Sequence, residues 1–293
     1  MRCEIVSKHL DRYRTEELSN KLKRSIETHL MRCLPCSAEL KELEHLAAGV
    51  GLLRAPAPQT LIKVVMEKAM DKYGLVETEL GKVWVGFNSR GITMVYPGLR
   101  GADAFVQAYL GRRFRVAQPS SVPRNYVNLV QKAASGKSFQ RPSLYLDGLT
   151  PFEQETLLLL LRIPRGEVRP YSWLAREAGN PRAVRAVGTV MARNPVPLLL
   201  PCHRVVPALG GIGNYAFGSG MKRALLQREG VPLEELDSLA QKGVRYLGCK
   251  STGIYCFPTC RDARRMKPEN RLFFSTASRA VESGYRPCRH CKP

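Results

Sequence analysis

The chain has 293 residues, with 46 Lys and Arg against 25 Asp and Glu, a formal net charge of +21. The length suits two to four small domains rather than one, and 44% hydrophobic with 24% charged residues is ordinary for globular protein. The positive excess excludes an acidic tail or a strongly acidic surface and favours a polyanion partner, nucleic acid before an anionic membrane. Residues 1–15 carry charges throughout and have no apolar core. The longest apolar run, Leu157–Leu161, is far too short to span a bilayer. No signal peptide, no membrane segment and a cytoplasmic location are therefore expected. Disulfides are rare there, so nine cysteines must be explained by metal ligation, nucleophilic chemistry or burial.

In chain order, residues 16–30 read as an amphipathic helix, with Leu18, Leu22, Ile26 and Leu30 at spacing four. His29, Cys33 and Cys36 form a His-x3-Cys-x2-Cys run that supplies three zinc ligands, the helix placing the first two on one face. Cys3 is a candidate fourth ligand and His9 is its rival. Without metal the same run reads as a helical hairpin with two buried thiols. Residues 54–60 (RAPAPQT) look like a linker. Residues 58–149 read as strand-rich α/β structure: 82–87 alternates, 88–91 (NSRG) is a hairpin turn and a helix follows at 103–110. Thr150 and Pro151 are an N-cap and first helical residue. Residues 230–240 end one unit and lead to the next. The last 54 residues carry 12 basic and 3 acidic residues, net +9, so the smallest segment is the most charge-dense.

Pro201-Cys202-His203-Arg204-Val205-Val206 is the most informative string: a cysteine beside a histidine fits an activated thiolate. Leu198–Leu200 before it suggest a buried strand or turn that aims the thiol. Near the end, Cys256-x3-Cys260 and Cys288-x2-Cys291 give four thiols, enough for one tetrahedral all-cysteine zinc site.

Three resemblances follow from these strings. Residues 1–57 resemble the zinc-binding anti-sigma factor domain, which implies a small α zinc finger and a sigma factor as partner. Residues 164–230, with YSWLAREAGNPRAVRAVGTVMARN, PCHRV and GIGNYAFGSGMKRALLQREG, resemble the O6-alkylguanine-DNA alkyltransferase family. The resemblance implies a ribonuclease H-like α/β domain at 58–149 and a helical catalytic domain with a helix-turn-helix at 150–238. It implies Cys202 as alkyl acceptor, with His203 deprotonating it through a water and Glu229 orienting His203. Asn194 braces the active-site turn, and Tyr215 donates to the departing guanine. On the recognition helix, roughly 181–192, it implies Arg185 in the stack vacated by a flipped nucleotide. Tyr171 presses the neighbouring phosphate, and the small residues Ala183, Ala186 and Gly188 permit close approach to the minor groove. Phe217 is bulkier than in some relatives and narrows the pocket.

Residues 251–293, with TGIYCFPTC and SGYRPCRHCKP, resemble the methylphosphotriester-repair domain of Ada. This implies a small α+β four-cysteine zinc domain at 239–293, with Cys256 taking a methyl group and Arg261, Arg264, Arg265, Lys267 and Arg271 facing phosphates. The order is the reverse of Ada, and no AraC-like helix-turn-helix pair follows within the sequence.

The fold expected is thus multidomain α/β plus α. The function expected is single-turnover direct-reversal repair at Cys202, with a second methyl acceptance at Cys256. The alternative is a methylation-responsive DNA-binding or sigma-factor-binding regulator. Two zinc ions, no organic cofactor, double-stranded alkylated DNA as partner, no membrane and a monomer complete the expectation. Cys249 is read as an incidental thiol.

Overall fold

The computed structural model describes residues 1–52, 70–208 and 210–293. The linker expected at 54–60 and the boundary expected at 57/58 lie outside them. The chain divides into two compact units, Met1–Glu67 and Lys68–Pro293.

In the first unit, α1 (Cys3–Ser7), α2 (Leu10–Arg14), α3 (Asn20–Leu30) and α4 (Leu34–Leu52) surround a core of Val6, Leu10, Ile26 and Cys36. The helix expected from residue 16 begins only at Asn20, because Glu16 turns into the left-handed region at φ 61°. His29 and Cys33 do not share a helix either. Pro35 has no N–H to continue the ladder, so α3 stops at Leu30 and α4 starts at Leu34.

The second unit opens with a four-stranded sheet of order β3-β2-β1-β4: β1 is Asp71–Thr78, β2 Gly81–Asn88, β3 Gly91–Pro97 and β4 Ala117–Pro119. β1 runs antiparallel to β2 and parallel to β4. The hairpin turn is where the sequence puts it, since the Asn88 side chain accepts from the backbone N–H groups of Arg90 and Gly91. Helices α5 (Ala102–Arg113) and α6 (Arg124–Ala134) complete this part. A buried carboxylate ties it together: Asp71 accepts from Tyr109, Asn88 and Arg115.

Helix α7 (Pro151–Leu159) starts on a full capping box. The Thr150 hydroxyl accepts from the Glu153 amide, and the Glu153 carboxylate accepts from the Thr150 amide. Then come β5 (Arg169–Pro170), α8 (Tyr171–Glu177) and α9 (Val184–Ala192), the last two packed as a helix-turn-helix. α9 begins three residues later than read from sequence, because residues 181–183 form a turn. β5 pairs in parallel with β6 (Val205–Val206), which directly follows a 3₁₀ turn over Cys202–Arg204. α10 (Ser219–Arg228) and α11 (Leu233–Gln241) lead into the last part.

That part is a second sheet, order β10-β8-β7-β9, from β7 (Tyr246–Cys249), β8 (Ile254–Cys256), β9 (Arg271–Phe274) and β10 (Arg286–Pro287). The short helices α12 (Arg261–Arg264) and α13 (Ala277–Glu282) flank it. One continuous hydrophobic core runs from β2, through α7 to α10, into the four C-terminal cysteines. Among the described residues no helix is long and apolar enough to cross a membrane.

Candidate functional site

Cys202 is 5% exposed at the start of its 3₁₀ turn, below the buried turn of Leu198–Leu200. Leu198 holds φ at 72°, a conformation costly for a branched side chain and kept here by packing on all sides. The buried Asn194 amide donates to Cys202 Sγ at 3.1 Å and to the Leu200 carbonyl at 2.8 Å, while its Oδ1 accepts from the Val196 amide. One side chain therefore fixes both ends of the turn and touches the sulfur. Burial pushes the Cys202 thiol up, against opposing pulls from Asn194, the Tyr215 hydroxyl and the Lys222 charge. The resting group is a protonated thiol that needs a base.

His203 is 1% exposed, and its Nε2 lies 2.9 Å from Glu229 Oε1. Arg204 grips the same carboxylate with Nε at 2.8 Å and Nη2 at 2.9 Å. Burial alone would raise Glu229, but His203 and Arg204 outweigh it and bring the carboxyl down to about 2. An ionised carboxylate can only accept, so Nε2 carries the imidazole proton and Nδ1 the lone pair. Nδ1 is buried with no hydrogen-bond partner among the described residues. Burial also lowers the His203 pKa, leaving the ring neutral at pH 7 and able to take a proton.

The sequence reading missed Lys222. Its side chain is fully buried, donating to the Val205 carbonyl at 2.7 Å and the Asn214 carbonyl at 3.4 Å. Burial lowers it to about 8, so it remains mostly cationic at neutral pH beside the thiol. A signal existed: Lys222, Leu225, Leu226 and Glu229 stand at i, i+3, i+4 and i+7, the inward face of one helix. The Arg204 clamp was missed as well. Tyr215 is turned inward, its hydroxyl facing Cys202 and its own pKa pushed well up, first by burial. Phe217 stacks edge-on against Tyr215 and against Tyr96 from β3, at 5.5 and 5.1 Å.

On α9, Val187, Val190 and Met191 face the core while Arg185 and Ala186 are exposed. Ala183 precedes the helix, and a Cβ on Gly188 would meet nothing within 4 Å. Val184 and Thr189 are exposed on the same helix, so this outward surface mixes small residues with two β-branched ones and the Arg185 guanidinium. Tyr171, half-buried, opens α8.

The four C-terminal cysteines are all buried, and their sulfurs lie within 4.8 Å of one another. Tetrahedral zinc with thiolates places sulfurs about 3.8 Å apart, so the set fits a zinc ion with little movement. Without a cation the thiols work against each other: Cys256 and Cys291 lower Cys260, while Cys256 itself is raised. Beside them, Asp262 Oδ2 accepts from the Cys288 thiol at 3.3 Å and lies 2.5 Å from His290 Nδ1. Arg261, Arg264, Arg265 and Lys267 are exposed as expected. Arg271 is not available to phosphate: it is half-buried, pairs with Glu235 at 3.0 Å and donates to the Met266 carbonyl. Cys249 is buried 3.2 Å from the Ser251 hydroxyl, apart from the cluster.

In the first unit, Cys3, His29, Cys33 and Cys36 converge within the same 4.8 Å. Cys3 Sγ is 3.6 Å from both His29 Nε2 and Cys33 Sγ. His9 lies outside this group.

Comparison with known families matches residues 151–231 to "6-O-methylguanine DNA methyltransferase, DNA binding domain" and residues 235–293 to "Metal binding domain of Ada". The two matches fall on the segments around Cys202 and Cys256 that carried the resemblances in the sequence. It is similar to human methylated-DNA--protein-cysteine methyltransferase, 51% identical over 80 residues, which is 27% of this chain and 39% of that protein. It is also similar to the bifunctional transcriptional activator/DNA repair enzyme Ada of Escherichia coli, 32% identical over 161 residues, 54% of this chain and 45% of Ada. A solved structure of Mycobacterium tuberculosis OGT in complex with DNA aligns at 29% identity and TM-score 0.45, covering 54% of this chain and 92% of that one. The chain spans two-fifths to half the length of the curated relatives it matches.

Proposed function

We propose that this protein repairs DNA by direct reversal, moving an alkyl group irreversibly from O6 of guanine to Cys202. The observation that carries this reading is the buried series Asn194, Cys202, His203, Glu229, Arg204, a thiol with a neutral base beside it and a fixed carboxylate behind the base. His203 Nδ1 takes the thiol proton through a water. The sulfur lone pair then attacks the alkyl carbon, the C–O bond breaks and its electron pair enters the guanine ring. The Tyr215 hydroxyl gives its proton to the departing base and is reprotonated by the proton that His203 took, so the thiol proton ends on guanine and both side chains return to their starting state. A thioether on Cys202 has no comparable leaving group, so each chain turns over once. The Lys222 charge and the Asn194 amide hold the developing thiolate without metal.

The target atom lies inside the base stack, so the nucleotide must rotate out. Arg185 fills the space it leaves and Tyr171 presses the neighbouring phosphate, with Ala183, Ala186 and Gly188 allowing the minor-groove backbone close. Residues 70–149 serve as the ribonuclease H-like support.

Cys256, Cys260, Cys288 and Cys291 hold one zinc ion, and Cys3, His29, Cys33 and Cys36 a second. At the C-terminal site the metal keeps the thiols ionised at neutral pH. Cys256 there accepts a methyl from a DNA methylphosphotriester, with Arg261, Arg264, Arg265 and Lys267 on the phosphates. The name of the E. coli relative supports a second reading, in which methylation at Cys256 changes affinity for a promoter, with a sigma factor at the N-terminal finger.

Transfer of labelled methyl from alkylated DNA, followed by peptide mapping, tests the scheme. Label is expected on Cys202 from O6-methylguanine and on Cys256 from phosphotriesters; label on neither sinks it. Zinc content of two per chain is expected, and a value of one removes the N-terminal site first. Promoter affinity unchanged by methylation, at matched salt, ends the regulator reading.

A further inference from the structure

The loop between the first two C-terminal cysteines does not stand alone. It is seated on three consecutive residues of the alkyltransferase segment, Glu167, Val168 and Arg169, which are 2%, 5% and 2% exposed. Each takes one part of the Cys256–Cys260 loop. The Val168 amide donates to Thr259 Oγ1 at 3.0 Å, and that hydroxyl donates back to the Val168 carbonyl at 3.3 Å. Glu167 Oε1 accepts the Arg261 amide at 3.0 Å, immediately after Cys260. The Arg169 guanidinium pairs with Glu167 Oε2 and covers the Phe257 ring at 5.4 Å, immediately after Cys256. The loop is held at its start, middle and end by three residues of the tripeptide that are themselves buried from water.

The same tripeptide leads to Cys202. Arg169 is the first residue of β5, aligned with Val205 of β6, and Val205 follows the Cys202–Arg204 turn. Gly166, just before the tripeptide, has φ 78°. A Cβ there would meet the Glu229 carbonyl at 3.0 Å and the Arg264 guanidinium at 3.3 Å, one from each centre. A cavity of about 370 Å³ borders the seam between Val206, Pro207, Phe257 and Thr259, so polar contacts, rather than close apolar packing alone, carry the junction on that side.

We infer that Glu167-Val168-Arg169 is a positioning element shared by both thiol centres: it locks the Cys256–Cys260 loop to the strand pair behind Cys202, so that metal loading at the cysteine cluster sets the order of that strand pair. The inference rests on the zinc reading of the four cysteines but not on methyl transfer. Its consequence is a Cys202 site that is sensitive to a metal it does not touch.

Two measurements on the full chain test it. Native-state hydrogen exchange is followed at Val168, Val205 and Val206, with Val130 and Leu157 amides as references, before and after zinc is stripped by a chelator. Exchange at the three seam amides is expected to rise about tenfold or more while the references hold. Unchanged seam exchange after verified zinc loss overturns the inference, as does a chain that holds no metal at these cysteines. Thr259→Val keeps the volume and removes the hydroxyl. It is expected to release zinc to a colorimetric chelator at least about fivefold faster than the parent, and release at the parent rate overturns the inference. Glu167→Gln should fall between the two; should it fail to fold, Thr259→Val decides. Because no readout involves alkylation, methyl label on neither thiol would end the repair reading and leave this result standing.

Discussion

Cys202 and Cys256 are both buried thiols, yet their surroundings have little in common. Cys202 meets an amide, a phenol and a lysine charge, with a histidine as its neighbour in the chain. Cys256 meets three more sulfurs. The first environment gathers single groups from the turn after α9, the 3₁₀ turn, the loop carrying Tyr215 and α10, an arrangement suited to proton transfer. The second is suited to a cation that removes the need for a base. In the function proposed above, the same nucleophile is thus prepared in two ways, and the two should respond differently to pH, substitution and chelation.

The largest separation is expected from the acceptors themselves. Cys202→Ala should lower transfer from O6-methylguanine DNA on the order of 10⁴-fold or more, with phosphotriester transfer intact, both read by peptide mapping. Next is the base. His203→Ala should slow single-turnover transfer at Cys202 by about 10²–10³-fold at pH 7, the gap narrowing as pH rises and the thiol ionises unaided. The rate at Cys256 should not move. If it does, His203 serves as a base for both thiols.

Acid should also separate them. His203 is lowered from its free value of 6.5, so Cys202 chemistry should stay flat to about that pH and decline only below it. Stability follows with its own sign. Glu229 titrates at about 2 in the fold against 4.5 when free, so its contribution is full above pH 4.5 and is lost as pH falls toward 2. Melting temperature against pH for the parent and Glu229→Gln would show that slope disappear in the variant. Arg185→Ala should cost about tenfold on duplex DNA and nothing on a free alkylated base, since it acts on the stack and not on the sulfur. The smallest effect is a control outside both centres: Thr150→Ala should lose about 1 kcal/mol of stability through the broken capping box and leave both transfers unchanged.

What the sequence revealed followed the range of the interaction. The Thr150 cap and the Asn88 turn are contacts over three residues or fewer, and both were legible, though the Glu153 half of the capping box was not read. So were the buried cysteine–histidine pair at Cys202 and His203 and the convergence of the four C-terminal cysteines, because each is written as a short spacing in the chain. The His29–Cys33 helix face was misread because Pro35, two residues past Cys33, acts on the helix before it. Cys3 rather than His9 reaches the cluster because of how α1 packs on α4, a matter of tertiary position. Arg271 looked like one more cation in a basic run; only the approach of α11, carrying Glu235, commits it elsewhere. Hardest of all was the seam, where Val168 and Thr259 meet across 91 residues of chain.

Gly166 draws a last consequence from that seam. A Cβ on Gly166 would meet the Glu229 carbonyl and the Arg264 guanidinium, and its backbone shape is one that side-chain-bearing residues rarely adopt. Any side chain placed there strains the peptide at φ 78° and presses on the Glu229 carbonyl, while the exposed Arg264 guanidinium can swing aside. The backbone behind the base is therefore intolerant at a residue that never touches the sulfur: Gly166→Ala should be recovered in a screen for lost transfer at Cys202 although it removes no reacting group.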